Sequence, residues 1–200
     1  KHTDVFFKDR TIIFNYIFSY ICIMVSDLIK LRKHLHKFPE LSEHEKHTSE
    51  YLISFISENT DAKIVEGIAG YGFTAIFDFS EEGPVIVFRC ELDGLAIQET
   101  NPFDHCSIFK RVSHMCGHDG HMAIMAGFAL KLNEAENMKG KVILVFQPAE
   151  EIATGAKEFI DDEKFSDIKP DYVFALHNLP GYKKHSVIIK EGLFTPSVLS

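Results

Sequence analysis

Two uninterrupted apolar runs, Val85-Ile86-Val87-Phe88 and Val142-Ile143-Leu144-Val145-Phe146, constrain this chain more than any other feature. A strand with one face in water alternates apolar and polar residues, whereas one that is apolar throughout must be covered on both faces. Helices supply that cover, and helical patterns stand on either side of both runs. Ser26 is placed to cap a first helix in which Leu28, Leu31 and Leu35 recur, with Ile29 at the edge of that face and Pro39 as the stop. Ser42-Glu43-His44-Glu45 reads as a capping box for a second helix carrying Tyr51, Leu52, Phe55 and Ile56. A third, over 121–132, repeats Met122, Met125, Ala126, Ala129 and Leu130, and a fourth is expected over 155–160. Further strand-like segments lie at 62–66, 72–79 and 172–176. The alternation predicts an α/β fold with a largely parallel sheet flanked by helices.

The residues at the strand ends are chemically unusual. The first apolar run leads into Glu91 and Asp93, the second into Gln147-Pro148-Ala149-Glu150-Glu151, and the segment at 172–176 into His177. Ligands of open α/β sheets gather at the carboxyl ends of strands. The third helix is preceded by His114-Met115-Cys116-Gly117-His118-Asp119-Gly120-His121, which collects imidazole, thiol and carboxylate. That mixture suits zinc and its first-row neighbours. At a helix start, free N–H groups are expected to lower the Cys116 thiol pKa. His34, His36, His44 and His47 are scattered along the first two helices and read as solvated or locally paired. One of Glu150 and Glu151 can turn to a metal while its neighbour acts as general base toward a metal-activated water. A structural zinc domain fits less well, because the donors are dispersed and include carboxylates.

The bulk numbers narrow the partners. A net charge of −8, with no basic stripe, argues against a nucleic-acid partner. Cys22, Cys90, Cys106 and Cys116 form no C-x-x-C pair, which points to reduced thiols and a cytoplasmic setting. The apolar run at 11–25 is shorter than the ~20 residues of a membrane-spanning helix, which argues against a membrane partner and leaves a membrane anchor as the alternative reading of that run. Residues 1–23 are read as an extension outside the domain, with Met24 as the natural initiator.

In combination, the motifs at 114–121, 147–151 and Ala175-Leu176-His177-Asn178 resemble those of the M20 family of metallopeptidases. The nearest branch is the N-acyl-amino-acid amidohydrolases, which includes hippurate hydrolases and auxin-conjugate hydrolases. Leu31-Arg32-Lys33-His34-Leu35-His36-Lys37-Phe38-Pro39-Glu40-Leu41-Ser42 is similar to that branch's first helix, and the resemblance runs from about Met24 onward. It implies that Cys116, His118, Glu151 and His177 are metal ligands, that Glu150 is the general base, and that Asp93 orients the catalytic site without binding metal. His121 and Asp119 match motif positions without being ligands, and Glu91 stands where the family usually has Asp. The resemblance further implies two divalent ions per complete site (Zn, Mn, Co or Ni), a small N-acyl amino acid or peptide-like substrate, and a homodimer formed through a lid domain. On this basis 24–190 is the first part of a catalytic domain and 191–200 the start of the lid, with a further metal-binding histidine beyond. The alternative is an inactive metal-binding fragment or pseudoenzyme lacking the carboxyl-terminal half.

Overall fold

The computed structural model describes residues 24–189, so the expectations for 1–23 and 191–200 lie outside the described residues. Helix α1 covers 24–37 and α2 covers Lys46–Asn59. Strands β1 (Lys63–Ile68), β2 (Gly72–Asp78) and β3 (Val85–Glu91) come next, then α3 (His118–Asn133), β4 (Lys141–Gln147), α4 (Gly155–Asp161) and β5 (Tyr172–Ala175). The five strands form one sheet in the order β1-β2-β4-β3-β5.

The fold is α/β, and the sheet is mixed. β4 with β3 and β3 with β5 are parallel, while β1–β2 and β2–β4 are antiparallel. The antiparallel part has a local cause. Only Ala69-Gly70-Tyr71 separates β1 from β2, and Ala69 and Gly70 turn through φ 48 and 88. A connection that short permits only a hairpin. The longer crossovers through α3 and α4 produce the parallel part, where the site lies.

β4 shows how the sheet is covered. Val142, Leu144 and Phe146 enter the core built with α1, α2 and α3, where Phe146 stacks on Phe73 with ring centroids 4.3 Å apart. The intervening Ile143 and Val145 face the other side, against Phe159 of α4 and Phe165. The strand is therefore buried on both faces, as its composition requires. A Cβ at Gly127 would stand 2.8 Å from Leu28 Cδ1, so this glycine lets α1 lie close against α3.

Two helix starts differ from expectation. Ser26 lies inside α1 rather than capping it. The Ser42–Glu45 motif does not form a capping box either: α2 begins at Lys46 with no side-chain cap from Glu45. Glu40 takes over, its Oε2 accepting from the Thr48 backbone N–H at 2.7 Å and the Thr48 hydroxyl at 2.9 Å. Ser42 and Glu45 are drawn instead to partners across the molecule. Ser42 Oγ donates to Asp93 Oδ2 at 2.7 Å, and Glu45 Oε1 accepts from the Ala149 N–H at 2.8 Å. Among the described residues, no helix is long and apolar enough to cross a membrane.

Candidate metal centre

In the parallel register Glu91 lies opposite Gln147 and Arg89 opposite Ala175, so β3, β4 and β5 end nearly level. Asp93, Glu150, Glu151 and His177 leave these ends on one edge of the sheet, and the start of α3 adds Cys116 and His118. Gly117, the residue before α3, has φ 92. A side chain there would be strained, and its Cβ would collide with the Asn178 side chain. The glycine lets the loop after β5 close on the helix start, so that Cys116 Sγ and His177 Nε2 stand 3.3 Å apart.

Hydrogen bonds decide which histidine nitrogens are free. His118 Nδ1 lies 2.8 Å from the Asp93 carbonyl oxygen, which can only accept, so Nδ1 carries the proton. In the neutral ring Nε2 then bears the lone pair. It lies 3.7 Å from Glu150 Oε2 and 3.7 Å from Glu151 Oε1. His177 repeats the arrangement, with Nδ1 donating to the Asn178 carbonyl at 2.7 Å and Nε2 facing Cys116. Among the described residues, His118 Nε2, Glu151 Oε1 and Asp93 Oδ1 are buried without a hydrogen-bond partner. A bound cation would relieve the first two, which is the condition the donor set suggests.

Donor atoms of Cys116, His118 and His177 lie within 4.8 Å of one another, and so do those of His118, Glu150 and Glu151. Glu91, His118 and His121 meet the same criterion. That third group is already engaged. His121 Nδ1 bonds Glu91 Oε2 at 2.8 Å, and its Nε2 is held by the Asn178 N–H at 3.0 Å. The other Glu91 oxygen accepts from Arg89. Neither His121 nor Glu91 has an atom to spare. The longer side chain of Glu91 is used to reach these two partners.

Charge in the pocket favours a cation. Burial, then the nearby Glu151 and Glu150 carboxylates, push the Cys116 thiol up to about 12. This reverses the expectation of a thiol acidified by the helix start: burial and the surrounding carboxylates outweigh the helix N–H groups. A coordinated metal ion would invert this balance and favour the thiolate. Burial raises Glu151 as well, with Glu150 and Asp93 adding to it. For Asp93, burial alone would raise the pKa, but hydrogen bonds from His118, Ser42 and the Glu151 N–H hold it below its ordinary range.

Asp119 points away from this pocket. Its Oδ2 bonds His36 Nδ1 at 2.9 Å and Arg32 Nε at 3.0 Å, and His36 Nε2 meets Glu99 Oε1 at 3.0 Å. His36 is therefore buried and paired twice with residues far along the chain, where its sequence context suggests solvation or local pairing. His44 and His47 are exposed as expected. Ser42, Glu45 and His36 are the supporting residues that the sequence does not reveal, since their partners lie far along the chain.

Residues 87–192 match the model of peptidase family M20/M25/M40, which is more than half of the chain. The chain belongs to that family. Relatives agree: an N-acetyl-L-cysteine deacetylase of Bacillus subtilis is 37% identical over 166 residues, covering 82% of this chain and 39% of that protein. An N-acetyldiaminopimelate deacetylase of Priestia megaterium is 33% identical over 168 residues, covering 84% and 44%. Among solved structures, the YxeP protein of Bacillus subtilis, described as a dinuclear metal-binding peptidase of the M20 family, superposes with a TM-score of 0.74. It is 34% identical, and the match covers 80% of this chain and 44% of that one. The chain thus spans less than half the length of these relatives.

Proposed function

We propose that the complete protein hydrolyses the amide bond of small N-acyl amino acids, with residues 24–190 as the first part of its catalytic domain. Cys116, His118, Glu151 and His177 are the ligands this chain would contribute. A divalent ion held there would polarise the acyl carbonyl and acidify the attacking water. The thiolate favours zinc, while the imidazoles and carboxylate also suit manganese, cobalt or nickel. The reduced-thiol composition agrees with a cytoplasmic enzyme.

The remaining chemistry falls to the protein's own side chains. Glu150 takes a proton from the water as it attacks the acyl carbon, then delivers it to the departing amine nitrogen. The products are a carboxylic acid and a free amino acid. Asp93 fixes the frame: its carbonyl oxygen accepts from His118 Nδ1, and its Oδ2 accepts from the Glu151 N–H at 2.9 Å. It thereby orients two of the ligands at once.

The observation that carries this reading is the pairing around His118 Nε2. One carboxylate can ligate beside it while the other, at the same 3.7 Å, stays available for the proton. The test is Glu150→Gln in the full-length protein, assayed on N-acetyl amino acids. Turnover should fall at least ~10³-fold with metal content unchanged, within the range general-base catalysis supplies. A variant with undiminished kcat would remove Glu150 from the role.

A further inference from the structure

We propose that Glu45 is a positioning residue for Glu150: its buried side chain holds the backbone turn at Ala149 from which Glu150 departs. Glu45 has no exposed surface, and it sits between α1 and α2, outside the motifs that bear the ligands. Its Oε1 accepts from the Ala149 N–H at 2.8 Å across 104 residues of sequence. Ala149 is 2% exposed and has φ 52, a left-handed conformation unusual for a residue with a Cβ. Such a conformation persists only where the surroundings over-determine it. After it, the Ala153 N–H closes on the Glu150 carbonyl at 2.8 Å, and the Gly155 N–H on the Ala149 carbonyl at 3.1 Å. Without Glu45 the Ala149 N–H would be buried with no acceptor, and the turn would be free to relax.

The two neighbouring carboxylates are tethered separately. Glu151 is fixed through its own N–H by Asp93, which is held in turn by Ser42. Glu45 acts one residue before Glu150. The segment carrying both braces is itself locked to the sheet edge, where the Gly94 N–H donates to the Glu40 carbonyl at 2.7 Å. Losing Glu45 should therefore misplace the base while sparing the ligand. Glutamine matches glutamate in length and keeps an oxygen that can accept from the Ala149 N–H.

The inference rests on Glu150 being the general base. The test compares Glu45→Gln, which keeps an acceptor, with Glu45→Met, which fills similar space without one, in metal-loaded full-length protein. Glu45→Met should lose about 10²-fold in kcat, the scale of a small misplacement. Its KM and metal content should hold, and amide exchange at Ala149 should quicken. Glu45→Gln should match the native protein in all four. Should Glu45→Met fail to fold, Glu45→Asp keeps the charge but shortens the reach: lowered kcat at full metal content supports the proposal, and native kcat overturns it. A Glu150→Gln variant that keeps turnover would sink the base assignment and this inference with it. Native kcat in Glu45→Met beside an inactive Glu150→Gln would sink this inference alone, as would joint loss of metal and kcat in Glu45→Met.

Discussion

At the scale of single residues, two buried histidines are arranged for opposite purposes. His118 is arranged to offer a lone pair, whereas His36 has a carboxylate oxygen at each ring nitrogen, 2.9 Å from Asp119 and 3.0 Å from Glu99. Ionised carboxylates only accept, so this pair of contacts favours the imidazolium, which can donate to both. The hydrogen bond to Asp119 raises its pKa above 6.5; burial opposes this and Glu99 reinforces it. A group whose pKa is raised on folding contributes stability in full below its unfolded value, and loses it as pH climbs through the folded value. Thermal unfolding should therefore show stability falling above about pH 6.5. His36→Gln should show a smaller alkaline limb and be about 1–3 kcal/mol less stable at pH 6, because Glu99 loses its cation while Asp119 keeps Arg32. Calorimetry of both proteins across roughly pH 5–9 checks the sign, and an alkaline limb undiminished in the variant would place the titrating group elsewhere. Cys116→Ala belongs to the same scale. It should lower bound metal, read by elemental analysis of dialysed protein, and full occupancy would remove Cys116 from the ligand set.

At the scale of elements, β4 is the strand the rest is built on. Leu144 has no exposed surface, so Leu144→Ala should cost about 2–5 kcal/mol in denaturant unfolding. Ile160 of α4 is 61% exposed, and Ile160→Ala should change stability by less than about 0.5 kcal/mol. This contrast explains what the sequence can disclose. β3, β4 and α3 are legible because their apolar periodicity is local and the packing on both faces agrees with it. The dense cluster at 114–121 is legible for the same reason. Ser42 and Glu45 are not, because a capping box is read over four residues, whereas their partners lie 51 and 104 residues away. The raised pKa of Cys116 is hidden on similar grounds. The helix start is visible in sequence, but the carboxylates that help outweigh it arrive from β4's end. The antiparallel half of the sheet comes from the short turn at Gly70, a signal weaker than the continuous strands that suggest parallel pairing.

At the scale of the molecule, the candidate site belongs to no single segment. It is assembled from the ends of β3, β4 and β5 and the start of α3, with the 40–48 region bracing it from behind. A metal ion that binds only this assembled edge stabilises the fold by mass action, about 4 kcal/mol at a free concentration roughly 1,000 times its Kd. Chelation should therefore lower the melting temperature, and His118→Ala should melt alike with or without chelator. The most direct test of this assembled centre is anomalous X-ray scattering from crystals of the metal-loaded protein. The expected result is a peak bounded by Cys116 Sγ, His118 Nε2 and His177 Nε2, with Glu151 in its shell. A peak held instead by Glu91 and His121, or no peak at this edge of the sheet, would contradict it.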